Sequence, residues 1–246
     1  MKPASPGLSK SAEDTLIVAL DVPAYDPAMR LADSLHGTCR WVKVGLELYL
    51  AAGATVVRDL ADAGFSVFLD LKFQDIPNTV AGAIRSAGSL GASLLTIHAS
   101  GGPEMLAAAA QAAAALPCPP QLLAVTVLTS MNADQLHATG VEAAPAAQVA
   151  RLAALALNAG ITGLVCSPQE TSMLREQFGS QVLLVTPGIR PAGSASGDQK
   201  RAATPAAAIA AGADMLVVGR PITAAPNPVA AAGAILAEIH EALQQR

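Results

Sequence analysis

Eight apolar, β-rich runs recur along the chain, and each is followed by a stretch rich in Ala, Leu, Gln and Glu that is long enough for a helix. The runs are TLIVALD (Thr15–Asp21), WVKVG (Trp41–Gly45), FSVFLDLK (Phe65–Lys72), SLLTIHA (Ser93–Ala99), QLLAVTVLT (Gln121–Thr129), GLVCS (Gly163–Ser167), QVLLVTPG (Gln181–Gly188) and MLVVGR (Met215–Arg220). Strict strand–helix alternation implies a parallel sheet, because parallel neighbours need a crossover and a helix is the usual one. Eight such units within 246 residues predict a closed (β/α)8 (TIM) barrel rather than an open doubly wound sheet. One domain over residues 15–246 is expected, preceded by a leader, residues 1–14, of no assigned role. With 52% hydrophobic and only 14% charged residues, the chain can fill such a core and does not read as disordered.

The ends of these runs carry the chemistry. Asp21, Lys43, Asp70, Lys72, His98, Thr129, Ser167, Thr186 and Arg220 all fall at or beside a run's C-terminal end. Barrel active sites assemble at that level, so polar residues gathered there from distant strands are what a shared pocket requires. Alternation along FSVFLDLK puts Ser66, Phe68, Asp70 and Lys72 on one face, and Val67, Leu69, Leu71 and Phe73 on the other. The wholly apolar set suits the layer under the helices. Asp70 and Lys72 are then directed into the barrel mouth, with Lys43 and Trp41 inward by the same logic.

The stretch DLKFQDIPNT adds Asp75 three positions after Lys72. Carboxylates beside an ammonium favour its charged form, whereas a Schiff-base lysine needs its amine freed. Lys72 therefore reads as a proton donor rather than a nucleophile. A purely structural salt-bridge cluster has the same spacing, and the residues alone leave that alternative open.

Several functions are disfavoured by composition. A net charge of −4 and 3% aromatic residues supply neither the basic stripe nor the stacking platform of a nucleic-acid binder. The run Met105 to Leu116 is broken by Gln111 and is shorter than the roughly 18–20 residues of a spanning helix. It reads as an alanine-rich surface helix, so no membrane partner is expected. The first residues contain no apolar signal core, and a cytoplasmic location is expected. Cys39, Cys118 and Cys166 are far apart and read as small buried hydrophobes in a reducing compartment. GxGxxG, GxxxxGK[ST] and HExxH patterns are absent, and of the four histidines only His98 sits at a strand end. Neither a dinucleotide cofactor nor a metal is expected.

With these motifs in view, DLKFQDIPNT resembles the signature of the bacterial-type orotidine 5'-phosphate decarboxylases, which make uridine monophosphate in pyrimidine synthesis. The resemblance runs from about Thr15 to the C-terminus. It includes VALD (Val18–Asp21), VKVG (Val42–Gly45), HASGG (His98–Gly102), TVLTS (Thr126–Ser130), TPGIRP (Thr186–Pro191), GDQKR (Gly197–Arg201) and VVGRPIT (Val217–Thr223). The Asp-x-Lys-x-x-Asp core alone is shared by a wider suprafamily, and the other motifs narrow it.

The resemblance implies a charge network of Lys43, Asp70, Lys72 and Asp75, acting without metal or organic cofactor. It implies a homodimer in which Asp75 and Thr79 enter the neighbouring subunit's site. Asp21 and Lys43 match residues that hold ribose hydroxyls, and Thr129 one that contacts the pyrimidine. Arg190, Gln199, Gly219 and Arg220 match phosphate and lid contacts. The loops after the seventh and eighth strands commonly build a barrel's phosphate site, and here they carry PGIRPAGSASGDQKR and GRPIT. Gly219 permits close backbone approach and Arg220 can bind a phosphate bidentately. Two alternatives stand beside this reading. One is a metal-dependent sugar-phosphate synthase or decarboxylase of the same suprafamily, which would place a carboxylate ligand where the chain has Lys43. The other is a non-catalytic nucleotide-binding barrel. For His98, contact with substrate and bracing of the fourth strand both remain open.

Overall fold

A computed structural model describes residues 11–191 and 202–246. Eight parallel strands close into a barrel in simple sequence order. They are β1 (Leu16–Ala19), β2 (Trp41–Gly45), β3 (Ser66–Phe73), β4 (Ala92–His98), β5 (Gln121–Val125), β6 (Gly163–Val165), β7 (Leu183–Thr186) and β8 (Met215–Val218). The expected (β/α)8 barrel is thus the observed architecture. Every expected run contains a strand. Several strands stop short of the run, so Asp21, Thr129 and Ser167 lie on the following connections and Arg220 opens a short helix. Those positions leave the ladder where the chain swings out towards a helix.

The helices are α1 (Ala12–Thr15), α2 (Tyr25–Leu35), α3 (Leu46–Asp62), α4 (Pro77–Gly88), α5 (Pro103–Ala114), α6 (Ala133–His137), α7 (Pro145–Asn158), α8 (Pro168–Phe178), α9 (Pro205–Ala210), α10 (Arg220–Thr223) and α11 (Pro228–Gln244). Six of them, α4, α5, α7, α8, α9 and α11, begin on proline. Proline's fixed φ suits the first helical turn, where its missing N–H is not needed, so each crossover starts at a defined residue after its loop. Side chains of Asn132, Thr204 and Asn227 cap α6, α9 and α11. Within α3, Gly53 at φ +69° breaks the helical run in a conformation that side chains disfavour.

Two apolar layers result from the alternation. Ile17, Ala19, Phe68, Leu94, Leu123, Val185, Met215 and Val217 fill the barrel interior, with Trp41 packed against them. Val18, Val42, Val44, Val67, Leu69, Leu95, Leu164, Leu184, Leu216 and their neighbours face the helices. Helix α5 lies where an alanine-rich surface helix is expected, but Met105, Leu106, Ala109, Ala112 and Ala113 give it a fully buried inner stripe. Among the described residues, no helix is long and apolar enough to cross a membrane.

Candidate active site

Charged side chains buried in this fold are few, and each has a partner. Among the described residues they are Lys43, Glu170 and Asp214. Glu170 accepts from the Ser167 hydroxyl and, at 3.1 Å, from its N–H. Asp214 pairs with Arg175 at 2.6 Å just before β8, at the N-terminal end of the barrel. Of the three, Lys43 is the one that lines the cavity at the C-terminal mouth, where active sites form.

Lys43 enters the interior from β2, and its Nζ donates to Asp21 Oδ1 at 2.8 Å and lies 3.6 Å from Asp70 Oδ2. Lys72 Nζ donates to the other Asp70 oxygen at 2.7 Å. Asp70 therefore lies between two ammonium groups. Burial pushes its carboxyl upward, but the charges of Lys43 and Lys72 and hydrogen bonds from Lys72 and Thr96 outweigh this and hold it below the usual carboxylate range. Burial also lowers the His98 imidazole, with Lys72 acting in the same direction and Asp70 opposing. His98 is not among the residues lining the cavity.

The backbone departs from a regular strand where these charges leave it. Leu69 pairs with Leu95, but the next pairing joins Phe73 to Ile97, so β3 carries extra residues across from β4. Lys72, inside that slip, has φ +51°, the only positive φ at a non-glycine residue among those described. For an L-residue the left-handed region costs roughly 1–2 kcal/mol. Bulges of this kind re-aim side chains beside active sites. Across the β2–β3 ladder Gly45 faces Asp70, and a Cβ there would lie 2.8 Å from Lys43 Nζ and 3.1 Å from Asp21 Oδ1. The absence of a side chain at position 45 is what leaves room for the Lys43–Asp21 pair.

These groups open onto a cavity of about 430 Å³ at the C-terminal mouth, within the range of small-ligand sites. Of the site residues expected from sequence, Asp21, Lys43, Asp70, Lys72, Thr129, Arg190, Gly219 and Arg220 line it. Four cations thus face two carboxylates, a balance suited to an anionic ligand. Arg190 Nη1 donates to the Ile189 carbonyl at 2.8 Å, and its N–H bonds to Ala203 across a bridge joining Ile189 and Ala203. Gln199, with most of the loop expected to act as a lid, lies outside the described residues.

Two expected site residues stand apart. Asp75 and Thr79 are exposed and do not line the cavity of their own chain. Asp75 Oδ1 accepts from the Ile76 N–H at 2.6 Å, and no ion pair joins it to Lys72. Within one chain, then, Lys72 is flanked by Asp70 alone, not by two carboxylates as local spacing suggests. The turn into α4 carries Asp75 out of the barrel mouth.

The sequence reading missed the apolar wall of Val125, Val127, Leu128, Val165, Pro187 and Val217, whose only signal was proximity to strand ends. It also missed Thr96 and the clearance at Gly45. Cys39 and Cys166 are buried as expected, and burial raises their thiols to about 11 and about 12. Cys118 is exposed, because it falls on the connection between α5 and β5.

The profile of the orotidine 5'-phosphate decarboxylase / HUMPS family matches residues 14–235. An orotidine 5'-phosphate decarboxylase of Halorhodospira halophila is 55% identical over 224 residues, covering 91% of this chain and 95% of the relative. That of Opitutus terrae is 53% identical, covering 91% and 97%. The crystal structure of orotidine 5'-phosphate decarboxylase from Lactobacillus acidophilus superposes with a TM-score of 0.82 at 40% identity, covering 92% of this chain and 98% of that one. With a family match across nearly all of the barrel and relatives above half identity, the chain belongs to the orotidine 5'-phosphate decarboxylase / HUMPS family.

Proposed function

We propose that this chain converts orotidine 5'-monophosphate to uridine 5'-monophosphate and carbon dioxide, a step of de novo pyrimidine biosynthesis. The observation that carries the reading is the Lys43–Asp70–Lys72 array opening onto the same cavity as Arg190 and Arg220. In this reading Arg190, Gly219 and Arg220 take the phosphate, Asp21 and Lys43 the ribose hydroxyls, and Thr129 the pyrimidine. The C6–carboxylate bond breaks, its electron pair stays on C6, and carbon dioxide leaves. Lys72 Nζ then gives its proton to C6.

Magnitudes decide which group does most. A substrate carboxylate held about 4 Å from Asp70 is repelled by roughly 4 kcal/mol at an effective dielectric near 20. Enzymatic barrier reductions reach about 23 kcal/mol. Repulsion therefore falls far short. The larger part comes from a positive charge already in place where the carbanion forms, which needs no reorganisation during the reaction. Phosphate binding, remote from C6, supplies energy for orienting the ring.

The working unit in this reading is a homodimer, each subunit lending Asp75 and Thr79 to its neighbour and residues 15–246 forming one catalytic barrel. Support comes from the exposure of Asp75 and Thr79 together with large apolar side chains at the same mouth. Leu46, Leu50 and Ile76 are 51%, 81% and 68% exposed. Apolar groups clustered around exposed polar residues mark an association surface. Three free thiols fit a reducing, cytoplasmic setting.

The test is an assay of the purified protein with orotidine 5'-monophosphate, following ultraviolet loss of substrate and appearance of uridylate, with and without a chelator. Turnover unaffected by chelator is expected. Metal-dependent turnover would instead favour the sugar-phosphate branch of the suprafamily, and binding without turnover a non-catalytic barrel.

A further inference from the structure

Thr96 lies on the interior face of β4, one step below His98 and one above Leu94, and is almost completely buried at 1% exposure. Its hydroxyl is not among the groups lining the cavity. It makes two bonds, both to the bulged segment of β3. The oxygen accepts from the Lys72 N–H at 2.9 Å, and the hydroxyl hydrogen goes to Asp70 Oδ1 at 3.0 Å. The same Asp70 oxygen receives the Lys72 ammonium at 2.7 Å.

The first bond answers a need the bulge creates. Where β3 and β4 fall out of register, between Leu69 and Phe73, the Lys72 N–H turns to a side chain in place of a β4 carbonyl. A buried donor without a partner is costly, so the Thr96 oxygen stabilises the left-handed turn at Lys72. The second bond has a defined polarity. A hydroxyl has one hydrogen, and ionised Asp70 can only accept, so that hydrogen points at Asp70 and the lone pairs are left for Lys72. Main chain and counter-ion of the lysine are therefore tied to one atom.

We propose that Thr96 is a positioning residue of the reaction, its hydroxyl setting the direction in which the Lys72 ammonium enters the cavity by holding both the Lys72 main chain and the Asp70 carboxylate. The inference rests on the decarboxylase reading above and adds to it a residue that touches no substrate.

The test compares Thr96→Val, which keeps the branched shape and removes the hydroxyl, with Thr96→Ser, which keeps the hydroxyl. Displacing a reacting group by ~1 Å can cost about 100-fold, so Thr96→Val is expected to lose about 10- to 100-fold in kcat. Its KM and its affinity for uridine 5'-monophosphate should stay within about threefold of wild type, and Thr96→Ser should keep kcat within about threefold. A folded Thr96→Val with wild-type kcat overturns the proposal, as does a Thr96→Ser as slow as Thr96→Val. If the valine variant does not fold, Thr96→Cys replaces the hydroxyl with a weak donor and acceptor. It is expected to lose kcat at constant KM, and full activity overturns the proposal. A wild-type chain inert towards orotidine 5'-monophosphate would remove the functional reading instead. The clamp is then read from a crystal structure of the variant, where Lys72 should leave the left-handed region; an unchanged Lys72 main chain and Asp70 rotamer overturn it.

Discussion

Lys72 Nζ lies 2.7 Å from Asp70 Oδ1, on a side chain 31% exposed against 12% for its partner. The carboxylate is sunk in the barrel wall and the ammonium stands in the mouth, so the cation is the member of the pair that can reach a ligand. Lys72→Ala is expected to abolish decarboxylation while leaving affinity for uridine 5'-monophosphate nearly intact, by single-turnover kinetics and calorimetry. A variant keeping more than about a tenth of the wild-type rate would refute the proton-donor role, since loss of an essential donor costs about 100-fold or more.

If Asp75 serves the neighbouring subunit, two inactive chains can repair each other. Mixing Lys72→Ala with Asp75→Ala should restore turnover, because a mixed dimer contains one site free of both lesions. Mass spectrometry of the mixture checks that subunits exchange. Exchange without recovered activity would end the shared-site reading.

Position 45 offers a probe that adds only a methyl group. In Gly45→Ala the new Cβ meets the far end of the Lys43 side chain, which can swing away, so the barrel should fold normally. The Lys43–Asp21 pair is then parted. Affinity for uridine 5'-monophosphate should fall about tenfold, or about 1.4 kcal/mol, with a thermal midpoint near that of wild type. Unchanged affinity would remove the pair from ribose recognition.

Asp70 also links stability to pH. It faces Lys43 from β2, Lys72 on its own strand, Thr96 and His98 from β4, and Asp21 across Lys43. Its folded value is depressed, so its contribution is fully present above the unfolded value of about 3.9 and is lost as the pH falls through the folded one. Urea melts should give a stability difference between wild type and Asp70→Asn that is flat from about pH 7 to 5 and changes below about pH 4. A difference constant across the whole range would contradict the assigned ionisation.

At the other end of the barrel, Arg175 donates to Asp214 and to the carbonyls of Gly179, Val182 and Gly212, while Asp214 also accepts from the Leu184 N–H. Removing one partner strands a buried charge, so Arg175→Ala should lose about 3–5 kcal/mol by urea denaturation with kcat unchanged. A loss below about 1 kcal/mol would show that the pair is solvated in solution.

Much of the site is written in short-range pattern. Period-two alternation is a property of neighbouring residues, so FSVFLDLK is enough to send Phe68 and Asp70 inward and Val67 and Leu69 outward, and the structure has them there. That strand ends converge follows from closing the barrel, and eight of the expected site residues meet in one cavity accordingly. Local spacing misleads at Asp75, because three residues of loop and a helix start are enough to turn it outward.

The alternation of strands and helices, the inward faces and the charges at the strand ends were determined by the sequence alone, since each depends on residues within a few positions of one another. Tertiary structure decided how Lys72 is aimed. Its left-handed backbone and its hold on Thr96, 24 residues away, exist because β3 slips against β4. Likewise the room for Lys43 beside Asp21 depends on what faces Gly45 across the barrel mouth. Both require the register of strands distant in sequence, and register is set only when the sheet closes and its two apolar layers pack.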